Sequence, residues 1–153
     1  MNALIGRDLR VAAALLAATF AALVGRVDAT GTARIQHPDG TVSTYANVRI
    51  IIWNESMAIT SSDGQGTVVI GKASCTKIGE LVECLPWDAT LFQNGQKVHI
   101  PLQSGTVWLN PSGTAQRLSH SSTQLPPRGV LLAVQTRRGT YLTLTGIVDE
   151  VHR

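Results

Sequence analysis

The chain has 153 residues, a formal net charge of +3, 15% charged and 44% hydrophobic side chains, and two cysteines. That length suits one domain with at most a removable segment beside it. Its basic side chains form no run longer than Arg137-Arg138, so capture of nucleic acid is not expected, and no stretch of about 18 apolar residues is present to serve as a permanent membrane span.

Residues 1–29 hold nine alanines, and residues 30–153 hold only seven. Arg7 and Arg10 give a positive start, diluted by Asp8, and Val11 to Val24 is an uncharged, largely apolar run of fourteen residues. Val27-Asp28-Ala29 then places an aliphatic and a small side chain at the −3 and −1 positions of a cleavage site. The run is shorter than the roughly 20 residues a bilayer span needs. These features read as a secretory signal over 1–29, cleaved after Ala29, followed by one domain over 30–153. The expected destination is the periplasm or the outside of the cell. No cysteine stands near Ala29, which excludes a lipoprotein type of signal.

The 124 residues from Thr30 onward carry 10 basic and 8 acidic side chains, and 35 of them are Thr, Val or Ile. β-Branched side chains fit a pleated sheet, and twelve glycines at short intervals fit a succession of tight turns. In chain order, His37-Pro38-Asp39-Gly40-Thr41 predicts a turn joining strands over Thr32–His37 and Thr41–Tyr45. Asn47–Trp53 reads as a separate strand, apolar enough on both faces to be central. Met57–Thr60 and Gly66–Gly71 flank a turn at Ser61 to Gly66.

A two-residue turn at Gly79-Glu80 sets Cys75 directly opposite Cys84, so a structural cross-strand disulfide is expected. Asn94-Gly95 favours a type I′ turn, with Leu91 facing Val98 and Ala89 facing Ile100 on an apolar side, and Thr90 facing His99 on a polar one. Val130–Arg137 and Thr140–Val148 pair across Arg138-Gly139. The sum is an all-β domain of about ten or eleven short strands, an antiparallel meander closing into a small barrel or a two-sheet sandwich.

Chemistry is sparse by comparison. His37, His99, His120 and His152 lie 62, 21 and 32 residues apart, without the close spacing of metal ligands, and two cysteines alone do not supply a zinc site. No metal or other cofactor is expected. Asp149 and Glu150, adjacent on a strand, should point to opposite faces. Residues 110–128 break the tight-turn pattern: nineteen residues without an evident element, the kind of segment that serves as a binding loop or a crossover. Trp108, Arg117, His120 and Arg128 make this the candidate binding loop, and Leu118 and Leu125 are placed to tether it to the core.

These observations support an exported, non-catalytic binding or structural β module, with a protein or small-molecule partner whose identity the residues do not specify. One alternative is a small barrel that carries an apolar ligand, in keeping with few large aromatic side chains. A less favoured one is a hydrolase using His120 or His99 as base.

Overall fold

The turns explain where the chain reverses. In the computed structural model, which describes residues 25–53, 56–71, 74–118 and 121–152, Asn94 and Gly95 take φ values of 53° and 73°. Both lie in the left-handed region that a type I′ turn requires. At His37 to Thr41, Gly40 takes φ 90°, and the Asp39 carboxylate accepts from both the amide and the hydroxyl of Thr41. Gly79 reverses the cysteine hairpin with φ 63°.

The described residues form twelve strands: β1 (Arg26–Gln36), β2 (Val42–Trp53), β3 (Ser56–Thr60), β4 (Gly66–Gly71), β5 (Ser74–Ile78), β6 (Leu81–Leu85), β7 (Asp88–Gln93), β8 (Gln96–Leu109), β9 (Gln116–Arg117), β10 (Gln124–Leu125), β11 (Gly129–Thr136) and β12 (Tyr141–His152).

The β7–β8 register is the expected one, Leu91 to Val98, Ala89 to Ile100, Thr90 to His99 and Phe92 to Lys97. Cys75 likewise faces Cys84 and forms the disulfide, with Cα atoms 4.0 Å apart. Both cysteines are buried against the main core; the bond closes the β5–β6 hairpin on itself, and the pairing of β6 with β8 joins that hairpin to the barrel. The closed loop is short, and its contribution belongs near the low end of the usual range, about 2 kcal/mol.

Closure of the barrel depends on two long-range pairings. Running through β11, β12, β1, β2, β3, β4, β7 and β8, each strand pairs antiparallel with the next, and β8 pairs back to β11. A closed ring of eight strands leaves an interior wide enough for side chains to fill or for one small ligand. Strand β8 is long enough to serve two neighbours along one edge. Its Gln96–Pro101 half pairs with β7, and Val107–Leu109 pairs with β6, which carries β5 outward as an extension. The architecture is therefore a barrel rather than a sandwich. Among the described residues, no helix is long and apolar enough to cross a membrane.

Inward-facing positions of all eight barrel strands join one apolar core. Val27, Val48, Ile50, Leu109, Val130, Leu132 and Leu144 are among its most deeply buried members, and each such side chain contributes about 1.5–3 kcal/mol through removal from water. At one point the packing brings backbones together. Gly31 and Gly146 face each other across β1 and β12, and the Ile50 side chain lies over Gly146.

Several expected strand boundaries, and the 110–128 segment, differ in the structure. The strands expected over 41–45 and 47–53 are one strand, β2, which passes through an irregularity beside Asn47 at φ 55° instead of stopping. Its Arg49–Ile51–Trp53 side is not covered by a second layer, and Trp53 is 61% exposed. The expected first strand, 32–37, instead begins at Arg26. Residues 1–24 of the expected signal lie outside the described residues, and the expected cleavage point after Ala29 falls inside β1. Finally, the 110–128 segment contains a small two-stranded ladder of β9 and β10. Two residues per strand are too few for any sequence period to register.

Candidate functional site

The 110–128 segment is built on the outside of the barrel wall. Val107 and Leu109 face the core, and Trp108 between them faces outward, as alternation along β8 demands. There, Trp108 and Leu131 meet Leu81, Leu118 and Leu125 in a second apolar cluster, separate from the barrel interior. The two leucines do tether the segment, but to this outer cluster. The indole Nε1 of Trp108 donates to Glu83 Oε2 at 2.8 Å, which satisfies the polar edge of a part-buried ring.

Each described candidate residue of the loop has an internal role. Arg117 Nε donates to the Ser121 carbonyl at 2.9 Å and braces the β9–β10 turn. Arg128, at φ 60°, turns its guanidinium to the carbonyls of Val148 and Asp149 at 3.2 and 3.5 Å, while its own carbonyl accepts from the Val148 amide at 2.8 Å. The structure thus brings Trp108 to the outer cluster, Arg117 to the β9–β10 turn and Arg128 to β12. His120 lies outside the described residues.

Asn110 is the residue that sequence reasoning passed over. It is fully buried, and its Nδ2 donates to the carbonyls of Thr114 and Pro126, both at 2.9 Å, and to that of Leu125 at 3.4 Å. Its Oδ1 accepts from the Ser112 amide at 3.0 Å, and its own amide donates to Gly129 at 2.9 Å. One side chain therefore clasps both ends of the loop. Asn-Pro-Ser-Gly signals the local turn, but only burial reveals the clasp.

Two clusters of titratable groups decorate the barrel exterior. Asp28 and Glu150 face each other across β1 and β12, as do Arg26 and His152. His152 Nε2 meets Asp28 Oδ2 at 3.0 Å, His152 Nδ1 lies 3.7 Å from Glu150, and Arg26 Nε donates to Asp28 Oδ1 at 3.0 Å. The Asp28, Glu150 and His152 ligand atoms lie within 4.8 Å of one another. The two carboxylates, however, address opposite nitrogens of one ring, and Arg26 already offsets Asp28. This is the arrangement of one ring bridging two carboxylates through its two nitrogens rather than of three ligands aimed at one cation.

Glu150 and Asp149 both stand exposed, contrary to the expected divergence. The pairing slips at Asp28/Ala29, making Asp149 the extra residue of a bulge, where it accepts from the Thr30 hydroxyl at 2.6 Å.

The second cluster is His99 Nε2 hydrogen-bonded to Asp88 Oδ1 on the β7–β8 hairpin. Its imidazole is 62% exposed to water. A catalytic dyad instead gains its strength from a dry, preorganised cleft. His37, the remaining described histidine, contacts the Ser43 hydroxyl at 3.2 Å.

Partial burial pushes the Asp28 carboxyl up, but hydrogen bonds from Arg26 and His152, with their positive charge, outweigh it and hold it below the ordinary 3.8. The Thr41 hydroxyl and amide likewise lower Asp39, and the Ser61 hydroxyl and Gln65 amide lower Asp63. A carboxyl depressed in the folded state stabilises the fold above its unfolded value, and that stabilisation is lost as pH falls through the lower folded value. Thermal midpoints are therefore expected to hold from neutrality to about pH 4 and to decline below it. Asp28→Asn should flatten that acid limb in a melting series from pH 6 to 2, and an acid limb unchanged from the wild type would refute the assignment.

The fold and these sites define an antiparallel eight-stranded barrel with a loop clasped to its outer wall. No protein-family model matches the chain, and no curated protein matches it either.

Proposed function

We propose that the chain is an exported, non-catalytic β-barrel module that works through its outer surface, as a binding or structural unit. The observation that carries this reading is the division of the barrel wall. Its inner face is given over to one apolar core drawn from all eight strands, and the ionic clusters, the outer loop and the exposed aromatic side chains Trp53, Trp87 and Phe92 all lie outside. The Cys75–Cys84 disulfide is consistent with an oxidising, exported compartment. The apolar-ligand carrier is less well supported, because Ile50, Leu132 and Leu144 are fully buried in one continuous apolar core drawn from every barrel strand. A hydrolase based on His99 is less well supported by the exposed setting of that ring.

The test is mass spectrometry of the full chain purified from the exported fraction of an expressing cell, under native and then denaturing conditions. One intramolecular disulfide, and the same mass in both conditions, are expected. A small molecule present at one per chain in the native spectrum and lost on denaturation would overturn the reading in favour of a carrier. Two free thiols in a chain confined to the cytoplasm would overturn the export part.

A further inference from the structure

Strand β1 starts before the point at which the sequence places the end of the signal, and the residues in question have the alternation of a barrel strand. Val27 and Ala29 are 0% and 2% exposed and belong to the core, while Arg26 and Thr30 face solvent and Asp28 is half-buried. Val27 stands between Ile52 of β2 and Val151 of β12, and Ala29 between Ile50 and Val148. Outside, Asp28 joins Arg26 and His152 in the ionic cluster. Inward and outward positions are thus each matched to partners on both neighbouring strands.

A domain beginning at Thr30 would lack all of this. Along Ile50–Ile52 and Val148–His152, β2 and β12 would flank a slot one strand wide, with about 10 Å between them, twice the usual strand spacing. The backbone groups now paired with β1 would become open edges, in a fold whose closure exists to remove edges. Two core side chains would be lost, and His152 would lose its Asp28 partner.

Resting on the export reading above, we infer that the segment removed on export ends no later than the Gly25–Arg26 bond, so that Arg26–Ala29 stay in the mature domain. At that bond Gly25 supplies a small residue at −1, with the larger aliphatic Leu23 at −3. Val27 and Ala29 match the same pattern because an inward-facing strand position beside a tightly packed wall also selects small and aliphatic side chains. The resemblance of 27–29 to a cleavage site is a consequence of barrel packing.

The deciding experiment is N-terminal sequencing and intact-mass measurement of the full chain recovered from the exported fraction, combined with hydrogen exchange on the same material. The expected first residue is Arg26 or one before it. The mass should then exceed that of a Thr30-initiated chain by at least Arg-Val-Asp-Ala, and slow exchange is expected at Ile50–Ile52 and Val148–His152. An exported, oxidised protein beginning anywhere from Val27 to Thr30 overturns the inference and leaves the export reading intact. A cytoplasmic chain that begins at Met1 with both thiols free overturns the export reading, and the processing site with it.

Discussion

Gly31→Ala is expected to be among the most damaging single-methyl changes available to this chain. A Cβ at Gly31 would sit 2.1 Å from the Thr145 carbonyl oxygen and 2.7 Å from Gly146 Cα. Both obstacles are backbone, so no rotamer change relieves the clash. Relief requires β1 and β12 to move apart, at the seam that joins one end of the described chain to the other. Overpacking of a close contact costs about 1–3 kcal/mol and sometimes more, and a backbone obstacle places this case at the upper end. For a domain of this size, 3 kcal/mol lowers a thermal midpoint by roughly 10 °C.

Gly66→Ala is the matched control: it is another strand glycine, and a Cβ there meets nothing within 4 Å. That variant should stay within about 0.5 kcal/mol of the wild type. Chemical denaturation of the two variants side by side checks the contrast, and equal midpoints would show that the Gly31–Gly146 approach is not a constraint.

Asn110→Asp preserves the shape of the buried clasp and inverts its chemistry. The amide group that donates to Thr114, Leu125 and Pro126 becomes a second acceptor aimed at three carbonyl oxygens, in a position without solvent exposure. An uncompensated buried charge costs about 3–5 kcal/mol, and the substituted carboxyl will bind a proton well above the ordinary carboxylate range to avoid it. The variant should therefore regain part of its lost stability on acidification from pH 7 toward pH 5, an interval over which the wild type is expected to stay level. Asn110→Ala should cost less, about 2–3 kcal/mol, through the carbonyls left unsatisfied and the space left behind. In both variants, limited proteolysis should cut first within 111–127, because the clasp holds that segment to the barrel wall. Denaturation midpoints within 0.5 kcal/mol of the wild type would refute the clasp.

Gly31 and Asn110 also mark where sequence reasoning stopped. Asn94-Gly95, Gly79-Glu80 and His37 to Thr41 were legible because a tight turn specifies its own geometry within four or five residues, and a turn of known length sets the register of the strands beside it. The disulfide followed from the same arithmetic, with Cys75 and Cys84 equally distant from their turn. The candidate loop was recognised as an exception to the pattern, and its leucines as tethers. Its polar side chains were harder to read. Arg117 and Arg128 have the composition of a binding loop, yet what they bind is backbone: Ser121 in one case, Val148 and Asp149 in the other. A donor engaged at home has the same letter as one available to a partner.

By itself, then, the sequence determined the all-β class, the tight turns, the register beside them and the disulfide, since each depends on residues close along the chain. Only the tertiary structure decided that the sheet closes as a barrel through β8 with β11 and β1 with β12, that β1 reaches back to Arg26, and that Asn110 is buried. The physical reason is shared. The value of Val27 as a core residue, of Gly31 as a point of close approach and of Asn110 as a clasp is conferred by partners that local turn geometry does not specify, up to more than a hundred residues away in the pairing of β1 with β12.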